Sequence, residues 1–558
     1  PLQVICYERA DDLGFGVSGA VTRARAIKVS FPNLDPAEIP MASAVTEEKL
    51  VYLLDPIGAS RRPAGVRAMD RMIRLMPGAR KTPHQAIELT RAPEFLHKAG
   101  GLVLSLGQFN QWVASQLLGT AQLWPGTPVA EALIEGEAVA GVRLMDQGTD
   151  KQGHPTAEYM PGMDVRAALT VVGDGPVGAI GRQLDSHFGL PPGHAQHDWA
   201  VGMKLVVDLP ESPSGDAPAQ LAAGTVIHTV GYPEPEIFGF LYVCPDRTAS
   251  LGIFVPSSFR DPSRTAYRYL QHWMMHPYLW RYLGGGRMRS WGAKSLQESG
   301  RRGEPVLVGD GYARIGEGSG STNVLTGSGV DEAWATGALL AESVAELAQA
   351  GKPFTRENLD QTYVAKRRAS WVEQEGKVAA KARDGFHRGF VSGMLGMGLA
   401  ALSGGRLAVP GKPRPMSNIE DYYRGRIAPS EIAQIRQDCE ASGSPLHDAL
   451  MDAAGWPKVP YDGQLLVTHQ DALLLGGKVQ AAEGFADHVV FRDPRLCDSC
   501  ASRVCIELCS GQALTPGQGG TPHFDREKCI HCGVCLWNCA QGNIDFRAGA
   551  GGLHSAEN

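Results

Sequence analysis

Eight of the eleven cysteines lie between residues 497 and 539, in two runs with different spacing. The second run, residues 529–539, has the spacing C-x2-C-x2-C-x3-C, which is typical of ferredoxins that hold [4Fe–4S] clusters. The first run, residues 497–509, has the spacing C-x2-C-x4-C-x3-C. In two-cluster ferredoxins the last cysteine of such a run binds the other cluster. Exchanging the last ligands predicts two sets, which are Cys497, Cys500, Cys505 and Cys539, and Cys529, Cys532, Cys535 and Cys509.

The alternatives for these runs are structural zinc, or one cluster with four spare thiols. Zinc favours two separated C-x-x-C pairs, and the compact second run does not follow that pattern. We therefore predict two [4Fe–4S] clusters. Because such clusters relay single electrons and perform no substrate chemistry alone, we expect another redox group upstream in the chain.

The N-terminal stretch VICYERADDLG reads as a strand that ends in an acid, Glu8. In a Rossmann βαβ unit the acid after the second strand accepts a hydrogen bond from the adenosine ribose. No glycine-rich turn precedes Glu8, so we expect a first strand and its turn before residue 1. An isolated acid after a strand is more often a turn residue, and the interpretation depends on the elements that follow.

Residues 168–184, ALTVVGDGPVGAIGRQL, run from a strand through a glycine turn into a helix. The glycines match G-x-G-x-x-G, but no second strand with a closing acid follows, so this is not the primary nucleotide fingerprint. The stretch resembles the internal DG motif of large FAD-dependent monooxygenases and reductases, with Asp174, Gly175 and Arg182 near the flavin. A strand-to-helix turn without a ligand is the alternative.

Residues 304–329 form a third glycine-rich element, in which a strand ends at Gly309 and Asp310. A loop with Gly318 and Gly320 follows and opens a helix. A helix N-terminus suits the pyrophosphate of a dinucleotide. We predict that Asp310 accepts a hydrogen bond from a flavin hydroxyl.

The chain resembles the electron-transfer flavoprotein:quinone oxidoreductases, including their relatives in nitrogen-fixing bacteria, over nearly its whole length. The stretches that carry the resemblance are GVSGAVT, LGQFNQWVASQL, LQHWMMHPYLWRYLGGGRMRSWGAKSLQESG, CIHCGVC and GGLHSAEN. It implies FAD binding, with Ser18 and Gly19 at the cofactor, and in that family one cluster is held by the cysteines that match Cys509, Cys529, Cys532 and Cys535.

The resemblance implies an α/β protein with a Rossmann-like FAD-binding domain, an inserted α+β quinone or substrate domain and a ferredoxin-like C-terminus. We place the FAD domain at residues 1–195 and 290–430 and the insert at 196–289. A linker with a helical segment follows at 431–485, and the two-cluster domain occupies 486–558.

The quinone pocket of the family lies at the stretch EIFGFLY, which predicts contacts from Phe238, Gly239, Phe240 and Tyr242. The family has paired glycines before FLY, whereas here Ile237 and Phe238 crowd the approach. The two histidines His228 and His276 are candidates for proton transfer to a quinone, although we expect structural roles first.

The net charge is −6, from 53 basic and 59 acidic residues, which argues against a nucleic-acid partner. Residues 389–407, GFVSGMLGMGLAALSGGRL, mix apolar residues and glycines between basic flanks, and residues 69–81 are a weaker segment of the same kind. This pattern suits a helix that lies on a membrane surface, with a buried core helix as the alternative. The expected location is a membrane periphery, at the cytoplasmic face of a bacterial inner membrane or the matrix side of a mitochondrial one.

The sequence thus predicts a membrane-associated oxidoreductase that passes electrons from an electron-transfer flavoprotein, or another carrier subunit, through [4Fe–4S] clusters and FAD to a quinone. One alternative is a ferredoxin-fed FAD reductase of the geranylgeranyl-reductase type, acting on an unsaturated lipid. Another is an electron-conducting subunit of a larger complex.

Overall fold

The structure is a computed structural model that describes residues 2–14, 19–75, 84–89, 93–194, 198–211, 220–256, 259, 261, 266–413, 417–476, 478–480, 483–500 and 503–554. Helices and strands alternate along these residues, and both parallel and antiparallel strand pairs occur. The expectation of an α/β protein is confirmed.

The largest element is a seven-stranded sheet in the middle of the chain. Its strands contain long runs of buried β-branched and aromatic residues, which suits a sheet covered on both faces. In order across the sheet, the strands are Arg287–Gln297, Trp199–Asp208, Thr248–Pro256, Phe238–Val243, Thr225–Val230, Glu47–Leu53 and Ala86–Leu89.

This sheet extends beyond the range 196–289 that the sequence suggests for an inserted domain. Thr225–Val230 pairs in parallel with Glu47–Leu53, which comes from the N-terminal part of the chain. The strand Arg287–Gln297 pairs antiparallel with Trp199–Asp208 and closes the other side. Two further segments of the chain therefore complete the sheet.

One face of the sheet is covered by the helices Ala266–Met274 and Pro277–Leu283. Trp273 and Trp291 are fully buried in this core. Leu465, from the segment 431–485, joins the same core, so that segment is packed against the sheet.

Smaller sheets and helices surround the central sheet. Two strand pairs are parallel: Ile5–Tyr7 with Gln122–Trp124, and Thr170–Val172 with Tyr312–Arg314. The remaining strands of the N-terminal and middle regions are Ala20–Thr22, Ser43–Ala44, Leu102–Leu104, Val129–Glu135, Ala138–Leu144, Gln147–Thr149, Pro155–Met160, Asp164–Arg166 and Val308–Gly309.

The other α-helices precede the cysteine runs. They are Arg25–Ser30, Ala64–Leu75, Leu106–Gln116, Ala179–Phe188, Val330–Gln349, Arg356–Leu359, Ala365–Ala369, Trp371–Ala379, Phe390–Ser403, Ile419–Tyr422, Pro429–Ser442, Leu446–Ala453 and His469–Gly476. Asp360–Val364 is a π-helical turn, and short 3₁₀ turns lie at Pro36–Glu38, Glu94–Leu96, Gly300–Gly303, Glu317–Ser319 and Asp384–Arg388.

The cysteine-rich module comprises the described residues from 486 to 554. Its helices and 3₁₀ turns are Pro494–Asp498, Val504–Glu507, Gln518–Gly520, Arg526–Lys528 and Val534–Asn538. Its strand pairs are antiparallel and join Val489–Phe491 to Ile544–Phe546, Leu514–Thr515 to His523–Phe524, and Lys478–Gln480 to Gly552–His554. A small apolar core inside the module packs directly around the cysteines.

Candidate functional site

The eight cysteine thiols of the module form two groups. Asn543 connects two thiols of the first group, because its backbone N–H donates to Cys539 Sγ and its Nδ2 donates to Cys497 Sγ, both at 3.2 Å. Burial raises the pKa of Cys505 to about 12, and the neighbouring thiols that contribute to this rise are Cys539, Cys500 and Cys497. These four thiols therefore lie close to one another.

The second group contains the other four thiols. Burial raises the pKa of Cys509 to about 11, and the thiol of Cys532 contributes. Burial also raises the pKa of Cys529 and Cys535, and the neighbouring thiols of Cys509 and Cys532 raise both pKa values further. The structure thus brings Cys509 to the second run and Cys539 to the first, which is the crossed arrangement that the spacing predicts.

None of the eleven cysteines, all of which lie within the described residues, forms a disulfide bond. Across the residues that the structure describes, no set of three or more His, Cys, Asp or Glu side chains converges closely enough to hold a single metal ion. In a [4Fe–4S] cluster each thiolate binds a different iron, so the four thiols stand around the cluster and need not converge on one point. A thiol binds metal as the thiolate. Burial raises the pKa of these thiols and so favours their neutral form, and a cationic cluster iron would stabilise the thiolate form.

The loop of residues 529–535 contacts the N-terminal half of the chain. A Cβ added to Gly533 would overlap the side chain of Val177, which belongs to the DG motif. The ring of His531 is hydrogen-bonded to the guanidinium of Arg9, the residue after Glu8. The second cysteine group therefore lies beside two of the three elements that the sequence assigns to FAD, the strand that ends at Glu8 and the DG motif.

The same loop also contacts the central sheet. The backbone N–H of Ser295, on the strand Arg287–Gln297, donates to the carbonyl of Cys532 at 2.9 Å. Trp537 stacks on Trp199, with ring centroids 3.8 Å apart and planes 10° apart. The cysteine-rich module is thus joined to two parts of the molecule at the second run.

The first predicted cofactor element lies at the end of the strand Ile5–Tyr7. Glu8 Oε1 accepts a hydrogen bond from the backbone of Ala10 at 2.9 Å. Ser18 lies outside the described residues. Gly19 has φ +86°, and a Cβ there would overlap Ser250 Oγ, so only glycine allows the chain to approach the sheet here.

The DG motif forms the predicted strand, turn and helix. The carboxylate of Asp174 accepts a hydrogen bond from the backbone N–H of Gly181 at 2.9 Å, and it therefore caps the helix Ala179–Phe188. Burial raises the pKa of Asp174. Gly175 has φ +73°, and the space beside its Cα is open.

Arg182 lies towards the cysteine-rich module. Burial lowers the pKa of Arg182, and the negative charge of Asp545 in that module raises it. Arg182 Nε donates to the carbonyl of Gly178 within its own helix.

The third glycine-rich element meets the DG motif at its loop. A Cβ added to Gly318 would lie 2.7 Å from the carbonyl oxygen of Gly175. Gly320 has φ +73°, and a Cβ there would lie 2.8 Å from Glu304 Cα. The buried guanidinium of Arg367 fixes the loop by donating to the carbonyl of Ser319 at 2.7 Å.

Asp310 does not lie at this contact. Its carboxylate accepts from the backbone N–H of Arg356 at 2.7 Å, at the start of the helix Arg356–Leu359. Gly309 packs against the ring of Tyr312. The prediction that Asp310 accepts from a flavin hydroxyl is therefore corrected: the carboxylate is used at a different helix, because the strand ends before the loop that meets Gly175.

The acid inside the glycine loop is Glu317, which the sequence analysis missed. Its carboxylate accepts from the backbone N–H of Gln297 at 2.8 Å. Burial raises the pKa of Glu317 to about 7, although the ammonium groups of Lys294 and Lys204 lower it. The signal was a carboxylate within the glycine-rich stretch GEGSG.

The predicted quinone residues lie on the strand Phe238–Val243. Phe238, Phe240 and Tyr242 alternate along it and therefore share one face. Phe240 stacks on Tyr242, with centroids 4.5 Å apart, and Phe238 meets Phe386 edge to face at 5.8 Å. We call these three side chains the aromatic row; Phe240 and Tyr242 are buried in one apolar cluster, and Phe238 packs in a neighbouring cluster with Phe386.

Gly239 faces the opposite side of the sheet. The space of its absent side chain is filled by the indole of Trp273, whose Nε1–H donates to Thr229 Oγ1 at 2.8 Å. The structure thus requires glycine at this position for core packing, and not for the approach of a ligand.

Two histidines near this strand differ in their surroundings. His276 is used structurally, since its Nδ1 accepts from the backbone of Tyr278 at 3.2 Å. His228 Nε2 is buried without a hydrogen-bond partner among the described residues, and burial lowers the pKa of His228 to about 4. His228 is therefore neutral, and its ring lies 5.7 Å from that of Tyr242.

Comparison with known proteins is consistent with this arrangement. Residues 199–296 match the family model described as ETF-QO, ubiquinone-binding. The electron transfer flavoprotein-ubiquinone oxidoreductase of Pseudomonas aeruginosa is 30% identical over 384 residues, which cover 67% of this chain and 63% of that protein. The mitochondrial protein of the same name from Dictyostelium discoideum is 24% identical over 583 residues, covering 99% of this chain and 85% of that protein. This chain belongs to the electron transfer flavoprotein-ubiquinone oxidoreductase family.

The chain spans 63% and 56% of the length of the relatives from Pseudomonas aeruginosa and Acinetobacter baylyi. Among solved structures, a geranylgeranyl bacteriochlorophyll reductase-like protein from Thermoplasma acidophilum has a TM-score of 0.47 and 14% identity, over 81% of this chain and 93% of that chain.

An exposed apolar surface lies close to the strand Phe238–Val243. The helix Phe390–Ser403 buries Phe390 but exposes Val391, Leu395 and Leu402, the last by 91%. Leu75, on the helix Ala64–Leu75, is 83% exposed, and residues 76–81 of the weaker predicted segment lie outside the described residues. No helix within the described ranges has the length and apolar character to cross a membrane.

Proposed function

We propose that this protein is a membrane-associated oxidoreductase with FAD and two [4Fe–4S] clusters, which takes electrons from a reduced carrier and delivers them to a quinone. The carrier is an electron-transfer flavoprotein or a subunit of similar role. The observation that carries the proposal is the position of the loop 529–535, which contacts the DG motif, the residue after Glu8 and the sheet of the ubiquinone-binding match.

The two cysteine groups fit two clusters. Each group has four buried or half-buried thiols, which would hold the irons as thiolates. Hydrogen bonds to sulfur tune the reduction potential of such clusters. Asn543 donates two of these bonds in the first group, and Ala513 N–H donates to Cys509 Sγ at 3.1 Å in the second. When bound, the clusters supply one-electron redox chemistry.

The surface between the DG motif and the third glycine-rich element fits FAD. Ser321 Oγ and Thr322 Oγ1 are buried there without a hydrogen-bond partner among the described residues, and such hydroxyls need a polar partner. No described atom lies within 4 Å of the position that a Cβ on Gly175 would take, so a ligand can approach the backbone there. When bound, FAD supplies the exchange between single electrons and electron pairs. The residues we assign to it are Glu8, Ser18, Gly19, Asp174, Gly175, Arg182, Gly318 and Gly320, together with Glu317.

The aromatic row of Phe238, Phe240 and Tyr242 is the proposed wall of the quinone site. A quinone ring is planar and apolar, and it packs well on aromatic faces. The indole of Trp273 fills the space beside Gly239 on one face of the strand, so the quinone contacts the opposite face. The exposed leucines of the helix Phe390–Ser403 would insert into the membrane, from which the quinone comes.

The test is an anaerobic experiment with the purified protein in detergent. The protein is reduced with dithionite, excess reductant is removed, and ubiquinone or menaquinone is added while flavin and cluster absorbance are followed. We expect rapid reoxidation that a quinone-site inhibitor blocks. A reduced protein that stays reduced with both quinones would contradict the quinone assignment, and unsaturated polyprenyl lipids would then be the substrates to screen.

The donor is tested with a variant of the first cysteine group. In Cys497→Ser the cluster of this group is weakened, while the second group keeps its four thiols. If a purified electron-transfer flavoprotein reduces this variant at the wild-type rate, the first group does not serve that donor. A ferredoxin or an iron–sulfur subunit is then the donor class to test.

A further inference from the structure

A solvent-filled cavity of about 430 Å³ opens beside the proposed quinone site. It lies between the turn that precedes the strand Phe238–Val243 and the segment that leads into the helix Phe390–Ser403. Its wall is mainly polar, and the residues that line it include Arg61, Glu234, Glu236, Phe386, Arg388 and Tyr422.

Glu234 is the buried acid in this wall. The residue is only 1% exposed, and its Oε2 accepts from Ser60 Oγ at 3.0 Å and from the backbone N–H of Arg61 at 2.6 Å. Burial and the neighbouring carboxylate of Glu236 raise the pKa of Glu234 to about 8. The side chain is therefore held in place and carries a proton at neutral pH.

The cavity and the proposed quinone site share one aromatic pair. Phe386 lines the cavity, and its ring meets the ring of Phe238 edge to face. The carbonyl of Glu234 accepts from the backbone N–H of Ile237 at 3.0 Å, so the acid and the quinone strand belong to one tight turn. Glu234 therefore lies one turn before the strand that carries the aromatic row, and the ring of Phe386 contacts both the cavity and Phe238.

Reduction of a quinone to a quinol consumes two electrons and two protons. Resting on the quinone reduction proposed above, we infer that Glu234 is the residue that takes protons from the cavity and delivers them to the reduced quinone. In each transfer the carboxyl O–H bond breaks, water of the cavity carries the proton past the ring of Phe386, and a quinol O–H bond forms. Cavity water then returns a proton to the carboxylate, and the same group acts a second time.

The pKa of Glu234 depends on the charged groups around it, some of which change their own charge with pH. The charged or titratable side chains that line the cavity with it are Arg61, Glu236, His387, Arg388, Asp421 and Tyr422. The guanidinium of Arg426 also lowers the pKa of Glu234. Arg61 lies over the ring of Tyr422 at 4.2 Å, and Arg426 donates to the carbonyl of Ala59 at 2.6 Å. The Nε2 atom of His387 lies 2.9 Å from Oδ1 of Asp198.

The test compares Glu234→Gln with Glu236→Gln in the holoprotein. The glutamine at 234 keeps an oxygen for Ser60 and Arg61 but carries no transferable proton, whereas 236 also lines the cavity and has no assigned role. Quinol formation by the dithionite-reduced protein is measured between pH 6 and 9, in water and in deuterium oxide. Glu234→Asp serves as the conservative variant.

We expect Glu234→Gln to slow quinol formation by about a hundredfold and to abolish its pH dependence and solvent isotope effect, since a positioned acid contributes at least this much. Reduction of the protein by dithionite should be unchanged. Glu236→Gln should keep the pH dependence and the solvent isotope effect, with its pH profile shifted to lower pH, because the carboxylate of Glu236 raises the pKa of Glu234. In the infrared spectrum, a carboxyl band that titrates near pH 8 should be absent in Glu234→Gln. Partial activity in Glu234→Asp would support the role.

The two proposals fail in different ways. A wild-type protein that reduces no quinone would refute the proposed function, and this inference with it. A wild-type protein that reduces quinone, together with a Glu234→Gln variant of equal rate and equal pH profile, would refute only the role of Glu234.

Discussion

The packing of Trp273 into the space beside Gly239 makes a quantitative prediction for Gly239→Ala. The added methyl group would lie 2.6 Å from Thr229 Oγ1 and closer still to the indole of Trp273, which is fully buried and has no room to withdraw. Overpacking of a core costs about 2 kcal/mol. Loss of the indole hydrogen bond to Thr229 adds about 1 kcal/mol. The reduced flexibility of the unfolded chain returns about 0.5 kcal/mol, which leaves a net loss of about 2.5 kcal/mol.

The assay is urea unfolding followed by tryptophan fluorescence. With a denaturant slope of about 2.5 kcal/mol/M, the midpoint of the transition that reports Trp273 should fall by about 1 M. Gly65→Ala is the control, because no atom lies within 4 Å of the added methyl group and the helix Ala64–Leu75 gains propensity.

The alternative is that Gly239 gives a quinone access to the backbone. In that case Gly239→Ala would unfold at the wild-type urea concentration but would slow reoxidation by quinone. This outcome would refute the assignment of the space beside Gly239 to the core.

Three further predictions concern other sites. Cys539→Ser should halve the iron content and remove the magnetic signal of one cluster, Cys509→Ser should remove the other, and loss of the same signal in both would contradict the crossed groups. The pKa of Glu234 is raised from 4.5 to about 8, so folding takes up a proton and stability falls as the pH rises through this window. Glu234→Gln should remove that fall, at most about 5 kcal/mol, and thermal unfolding that changes equally between pH 5 and 8 in both proteins would disprove it. Leu395→Glu with Leu402→Glu should release the protein from liposomes in flotation, and unchanged flotation would exclude this helix as the contact.

The cysteine groups were the part of the site that the sequence predicted in most detail. Ligand spacing is local, and the exchange of the last ligands, Cys509 and Cys539, follows from how two adjacent loops enclose two clusters. The α/β class was predicted from the resemblance to the family, whereas the local pattern shows only that strands such as Phe238–Val243 are apolar and rich in aromatic residues.

The parts that the sequence could not predict depend on contacts between distant segments. Asp310 and Glu317 both follow glycines in one stretch, and only the packing of the loop against Gly175 and Gln297 distinguishes them. Likewise, the face that Gly239 presents depends on the strand register, since a shift of one residue would turn it towards the aromatic row.

The parallel pairing of Glu47–Leu53 with Thr225–Val230 has a consequence for the construction of chimeras. A graft that transfers only residues 199–296 into another scaffold would leave the backbone of Thr225–Val230 as an open sheet edge, which invites pairing with other chains. The N-terminal strands must travel with the graft, although more than a hundred residues separate them in the chain. A chimera that exchanges this sheet between relatives must therefore replace two separate segments of the gene, one for the N-terminal strands and one for residues 199–296.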